Sequence, residues 1–303
     1  MLVNFEKMQG LGNDFVVIDL ITQNVRFEPF QIQRIADRHF GIGCDQVILL
    51  EPPIRPDADF FYRIYNADGQ EVEQCGNGAR CAARFFYDTG FVNHRTLQAD
   101  CLAGPIQFQI EEDETVSVNM GKPIFTPEQI PFMPLIPLAL PPETDLYSIQ
   151  LIDPPLFQQI QNPEVHEFFF KPETKTIHFA ALSIGNPHAI LQVSDIQMVQ
   201  VNDWGRLIST HPYFPKETNV EFMQIIDQNN IRLRVYERGV GETLACGTGA
   251  AAAAVAGIKL KHLQSPVNVA FSTGELQIHW AGADSTITMR GPALSVFAGR
   301  FRL

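Results

Sequence analysis

No two cysteines of this chain stand in C-x-x-C spacing, and their number is odd: Cys44, Cys75, Cys81, Cys101 and Cys246. So few thiols in 303 residues do not make a disulfide framework. Cys75 and Cys81 are six apart, which on a helix turns them to different faces, so no metal site is expected. Positive charge is scarce as well. Lys and Arg number 22 against 34 Asp and Glu, a net charge of -12 with no basic cluster. Nucleic acid and anionic membranes are poor partners for such a chain. No apolar run is long enough to span a bilayer. Residues 1–7 lack the charged start and long apolar stretch of a signal peptide. Neither a dinucleotide-binding nor a P-loop glycine spacing occurs, and no cofactor is expected. The plain reading is a soluble cytoplasmic protein.

What is present is a globular composition, 45% hydrophobic, rich enough for one large or two ordinary domains. The chain is also written twice. Arg63-Ile64-Tyr65-Asn66 runs to Cys75-Gly76-Asn77-Gly78-Ala79, and Arg234-Val235-Tyr236-Glu237 runs to Cys246-Gly247-Thr248-Gly249-Ala250, 171 residues later without a gap. Gly12-Asn13 matches Gly185-Asn186, and Gln46-Val47 matches Asn219-Val220, both at an offset of 173. Gly121 and Gly291 match at 170, each closely followed by proline. These echoes predict a duplicated unit over 1–123 and 176–292, with a C-terminal strand at 293–303 returning to the first half. Between them, 124–175 holds ten of the 21 prolines, which precludes a long regular helix there and reads as a linker plus a surface excursion.

Each half carries strands at Asp14–Leu20 and Asp59–Tyr65, or Thr176–Ser183 and Ile231–Glu237, by β-branched and aromatic content. A helix follows each Cys-Gly-x-Gly. Two closing strands fall near 105–110 and 115–120, then near 275–280 and 285–289. Gly249–Gly257 is small and apolar on every face, the mark of a buried helix. The expected fold is α+β: two pseudo-symmetric domains, each a strongly curved, mostly antiparallel sheet wrapped around a central helix.

Chemistry follows from a cysteine at a helix start. Unpaired amides and partial positive charge gather there, so a carboxylate can rest on the amides of Gly76, Asn77, Gly247 and Thr248. The same environment is expected to acidify the adjacent thiol. If the halves present their cysteines to one ligand, Cys75 and Cys246 act as thiolate and thiol, a coupled pair that removes a proton from one face of a carbon and delivers another to the opposite face. That is inversion beside a carboxylate. His188, in a Gly-Asn-Pro loop, and Glu237, which stands where the first copy has Asn66, are candidates to poise the thiols. Arg238 fits a site residue or a solvated charge equally. Cys44, Cys81 and Cys101 read as small core hydrophobes.

Longer motifs add a resemblance. They are Gly10-Leu11-Gly12-Asn13-Asp14-Phe15, Gly41-Ile42-Gly43-Cys44-Asp45-Gln46, Tyr65-Asn66-Ala67-Asp68-Gly69 and Cys75-Gly76-Asn77-Gly78-Ala79-Arg80, then Gly185-Asn186-Pro187-His188, Thr218-Asn219-Val220-Glu221 and Tyr236–Thr243 leading to Cys246. Together they resemble the diaminopimelate epimerase family over the whole chain except roughly 135–165. The resemblance implies reversible conversion of LL-diaminopimelate to the meso form, for lysine and peptidoglycan-precursor synthesis, without pyridoxal phosphate or metal. It implies Cys75 and Cys246 as the catalytic pair, assisted by His188 and Glu237. Asn13, Gln46, Asn66, Asn186, Asn219 and Arg238 would hold the remaining substrate groups, and a homodimer is implied. The proline-rich segment looks longer than the family usual. A proline or histidine racemase-like enzyme, a phenazine-type isomerase and a thiol redox or binding protein remain as alternatives. The two cysteines argue against the phenazine type, and the polar set Asn66, Asn219 and Arg238 argues against proline.

Overall fold

The computed structural model describes residues 1–72, 75–133, 147–150, 170–171 and 176–302. Contacts divide the chain into one unit of Met1–Asn119 with Met289–Leu303, and a second of Met120–Thr288.

The first unit opens with β1 (Leu2–Gly10) and β2 (Asn13–Asp19), an antiparallel pair turning at Leu11-Gly12, both at positive φ. Helix α1 (Pro29–Ala36) has proline in its first turn and a capping box between Glu28 and Gln31. Then come β3 (Gln46–Glu51), β4 (Phe60–Asn66), β5 (Glu71–Val72), α2 (Gly76–Asp88), β6 (Thr96–Cys101), β7 (Gly104–Ile110) and β8 (Val116–Asn119). Pairing is antiparallel except for β2 with β3 and β4 with β6. Residues Asn77–Ala83 of α2 are all buried, so the sheet encloses this helix. Phe86 on α2 stacks on Phe60, ring centroids 4.5 Å apart, and Phe108 and Phe91 extend the stack.

The second unit repeats the plan. Its strands and helices are β9 (Tyr147–Gln150), β10 (Phe170–Lys171), β11 (Thr176–Ser183), β12 (Pro187–Gln192), α3 (Val201–Ser209), β13 (Asn219–Asp227), β14 (Asn230–Glu237), β15 (Gly241–Thr243), α4 (Gly247–Lys259), β16 (Val267–Phe271) and β17 (Gly274–His279). Again two pairs are parallel, β12 with β13 and β14 with β16. The registers coincide with those of the first unit. Phe15 opposes Gln46 and His188 opposes Asn219; Tyr65 opposes Glu71 and Tyr236 opposes Glu242. Both long helices have 13 residues. Ala250–Ala256 of α4 are all buried, as an alanine run without a polar face requires. The chain then runs through β18 (Thr288–Gly291) to β19 (Leu294–Arg302), which pairs antiparallel with β1.

Sequence reading missed some elements. The strand expected near 285–289 begins only at Thr288, because a turn with positive φ at Gly282 and Asp284 occupies the preceding residues. Helices α1 and α3 were not anticipated, since at eight and nine residues each offers only two turns of periodicity. Of the proline-rich stretch, residues 134–146, 151–169 and 172–175 lie outside the described residues. Its described parts pack into the second unit: Ile124 bridges Ser183, Phe132 contacts Phe179 and Phe214, and β9 pairs with β11. Among the described residues, no helix is long and apolar enough to cross a membrane.

Helix α3 packs so closely on β14 that a Cβ on Gly205 would stand 2.4 Å from Tyr236 Cβ. Tyr236 cannot swing the root of its side chain away. Overpacking costs about 1–3 kcal/mol, which exceeds the gain of about 1 kcal/mol from replacing a helical glycine with alanine. Gly205→Ala is therefore expected to lower the melting temperature by a few degrees in calorimetry. An unchanged melting temperature would show that the contact yields.

Candidate active site

Each long helix begins on a cysteine. Cys75 and Cys246 are the N-cap residues of α2 and α4, in extended conformation, and each sulfur accepts the amide of the residue three positions on: Gly78 at 3.5 Å and Gly249 at 3.4 Å. Serine or aspartate usually fills this role; here a thiol does. The amides of Gly76 and Asn77, or Gly247 and Thr248, open the first turn, where the helix offers no internal partner. The glycine at the third helical position is required in both copies. A Cβ on Gly78 would press on Phe15 at 3.1 Å and on Ile48 and Ile64, and one on Gly249 would stand 2.9 Å from Glu221 Oε1.

Around Cys75 the first unit gathers amides. Asn13 Oδ1 lies 3.6 Å from Cys75 Sγ and accepts Asn77 Nδ2 at 3.4 Å. Asn13 is itself aimed by Asp45, which accepts its Nδ2 at 2.8 Å. Asp45 and Asp14 share the Arg38 guanidinium, and Lys7 bridges Asp14 and the Gly43 carbonyl. Burial pushes the Asp14 carboxyl up, but the hydrogen bonds from Arg38 and Lys7 outweigh it and hold the group well below the usual carboxylate range. Gln46 donates to Asn66 Oδ1 at 2.8 Å across the β3–β4 pair. Beneath them Arg80, fully buried, holds Asn77 Oδ1 at 2.8 Å and the Pro292 carbonyl at 3.2 Å.

Around Cys246 the second unit gathers charge. Thr248 Oγ1 lies 3.5 Å from Cys246 Sγ and accepts Asn186 Nδ2 at 3.4 Å. His188, with no exposed surface, sets Nε2 3.1 Å from Asn186 Oδ1 and Nδ1 2.7 Å from Glu221 Oε1. Glu237 accepts Thr243 Oγ1 at 2.5 Å. Asn219 Oδ1 accepts the Arg238 amide at 3.1 Å, while the Arg238 guanidinium reaches out to the Lys216 carbonyl.

Of the expected set, Asn13 reaches Cys75 and Asn77, while Gln46 and Asn66 join each other across the β3–β4 pair; Thr248 and Glu237 act on Cys246, Asn186 links Thr248 to His188, and Asn219 holds the Arg238 amide while the Arg238 side chain turns outward. Glu221, Thr243 and Asp45 were missed. Glu221 had a signal, since it shares a strand face with Asn219 and is the one charge in the apolar run Val220–Met223. The expected acidity of both helix-start thiols needs correction at Cys246. Burial pushes this thiol well above its ordinary value, and the Glu237 and Glu221 carboxylates add to the shift; the hydrogen bonds from Thr248 and Gly249 do not offset them. Burial likewise pushes Cys44 and Cys81 up to about 12. Among the described residues, no group of three His, Cys, Asp or Glu is placed to hold a metal ion.

Comparison with known proteins gives the family and the fold. The family described as diaminopimelate epimerase matches residues 5–126 and 180–296. The diaminopimelate epimerase of Nitrosospira multiformis is 46% identical over 303 residues, covering 100% of this chain and 99% of its own. That of Azotobacter vinelandii is 44% identical with both chains fully covered. Among solved structures, a phenazine biosynthesis protein of the PhzF family from Bacillus anthracis superposes with a TM-score of 0.67 at 13% identity, with 100% of both chains covered. A probable proline racemase from Agrobacterium radiobacter gives 0.58 at 14%, covering 99% of this chain and 93% of its own. These two share the fold.

The environments of the five thiols set an order of reactivity. Cys75 is half-buried and Cys246 only 7% exposed, with its thiol pushed up. Iodoacetamide near neutral pH, followed by peptide mass mapping, is expected to label Cys75 first, Cys246 more slowly, and Cys44 and Cys81 last. Labelling of Cys246 ahead of Cys75 would contradict the charge assignment.

Proposed function

This chain belongs to the diaminopimelate epimerase family, and from that premise we propose how its residues carry the reaction. Its activity is the cofactor-independent interconversion of LL- and meso-diaminopimelate. The proposal assigns Cys75 and Cys246 as base and acid, one to each face of the α-carbon. The thiolate takes the α-hydrogen as a proton. The electron pair left on carbon is drawn toward the carboxylate, which rests on the helix-start amides of Gly76, Asn77, Gly247 and Thr248. The other thiol delivers its proton to the opposite face. After one turnover thiol and thiolate have exchanged places, so the reverse reaction uses the same groups. The observation that carries this reading is the pair of cysteine-capped helix starts, repeated in matching register in two copies of one unit.

Cys246, pushed up by burial and carboxylates, is assigned as the resting thiol, with His188 and Glu237 handling its proton. Burial pushes the Glu237 carboxyl above its ordinary value, against the hydrogen bond from Thr243. Asn13, Gln46, Asn66, Asn186, Asn219 and Arg238 are assigned to the remaining amino and carboxylate groups of the substrate. The cytoplasm is the proposed location, because a reaction carried by a thiol and a thiolate needs a compartment whose reducing poise keeps both sulfurs reduced.

A homodimer is proposed as the assembly. Leu294, Val296 and Phe297 are half-exposed apolar residues close together on β19, and this stretch of strand is the proposed contact.

Two measurements test these assignments. Proton NMR of the reduced protein with LL-diaminopimelate in D2O is expected to show α-hydrogen exchange and meso product. Cys75→Ser and Cys246→Ser are each expected to abolish formation of the meso product while leaving the circular dichroism spectrum unchanged; near-normal turnover in either variant refutes the two-thiol assignment. Light scattering after gel filtration is expected to give twice the mass of one chain, and Val296→Glu to give one. A native monomer removes the dimer proposal.

A further inference from the structure

The duplication supplies its own control. His188 and Glu221 lie 173 residues after Phe15 and Ile48. The equivalence is also one of register: Phe15 opposes Gln46, and His188 opposes Asn219, each across a parallel pair. The position of Ile48 and Glu221 stands under the third residue of the cysteine-capped helix in both units. In the first unit Gly78 meets Phe15 and Ile48; in the second Gly249 meets Glu221. One fold has therefore packed this place in two ways, with two apolar side chains and with a His–Glu pair that has no exposed surface.

Packing does not favour the second way. A buried ion pair is often no more stabilising than apolar side chains of similar volume, and loss of one partner leaves a charge or a polar group stranded. The first unit shows that phenylalanine and isoleucine satisfy the same backbone. Retention of His188 and Glu221 beside Cys246 then points to chemistry at that sulfur.

The geometry says what Glu221 does. Its Oε1 fixes His188 Nδ1 at 2.7 Å, and this turns Nε2 toward Asn186 Oδ1. The amide nitrogen of Asn186 is committed to Thr248, which contacts Cys246 Sγ. Nδ1 thus faces a carboxylate oxygen and Nε2 an amide oxygen. We propose that Glu221 is a positioning residue for proton transfer at Cys246, acting through the His188 imidazole and through its own charge beside the start of α4. The proposal rests on the assignment of Cys246 as a catalytic thiol.

The titratable groups that act on this sulfur are Glu221 on β13 and Glu237 on β14, and His188 on β12 is held by Glu221. Both carboxylates raise the Cys246 thiol, and His188 lowers each carboxylate in turn. Removal of one carboxylate should make Cys246 easier to ionise. Glu221→Gln, in the full chain, is expected to lower kcat by about 10- to 100-fold with KM changed less than about 3-fold. The pH midpoint for iodoacetamide labelling of Cys246 is expected to move down by roughly one unit, from the loss of a nearby like charge, while that of Cys75 stays in place. Both changes are required. A fall in kcat with an unmoved midpoint assigns Glu221 to structure and overturns the proposal, as does a moved midpoint with full turnover. If Glu221→Gln does not fold, Glu221→Ile, which borrows the first unit's residue, is read by the same two criteria. Turnover in Cys246→Ser separates the two failures: an active serine variant removes the thiol assignment itself, whereas an inactive one beside an unaffected Glu221→Gln removes only the role of Glu221.

Discussion

A helix that starts inside a sheet carries amides that water does not reach, and those amides must find acceptors. In both units the cysteine sulfur is one of them, taking the amide three residues on. Much of the structure follows from this placement. The helix must be small enough to be enclosed, which explains the alanines of α4 and the buried Gly78–Ala83 stretch of α2. Glycine at the third residue avoids the crowding that a Cβ would meet from the side chains of the strands beneath. The amides of the first turn then remain for a ligand of negative charge, and a carboxylate is the group that matches them.

The two units answer a common constraint with different side chains. The first surrounds its thiol with neutral amides, Asn13 and Asn77, and delegates charge to an outer network of Lys7, Asp14, Arg38 and Asp45. The second brings His188, Glu221 and Glu237 to its thiol and buries them. An inversion carried by two groups of like kind needs them in opposite protonation states. Duplication provides the like kind. Divergence of a few buried residues provides the difference in charge.

Much of this was legible in the chain before folding. The paired Cys-Gly-x-Gly turns marked both helix starts to the residue, because helix N-termini have local rules that short motifs obey. Constant offsets exposed the duplication, and the alanine run exposed a buried helix. The relatives' shared activity was legible from motifs as well. Helices α1 and α3 were not, being too short for periodicity to separate them from loops. Glu221 was overlooked although its motif was in view. A charged residue in a strand is ordinarily solvated, and only the Gly249 contact and the His188 hydrogen bond show that it points inward.

The sequence by itself determined which residues could do chemistry and that they came in two sets, since identity, spacing and repetition are properties of a string. It did not determine their charges. Helix-start physics alone would acidify both thiols; burial and two carboxylates reverse that direction at Cys246. A protonation state depends on solvent exclusion and on charges that are distant in sequence, such as Glu221 and Glu237 beside Cys246. Those distances exist only after strands β12, β13 and β14 have paired, so the tertiary structure decided them.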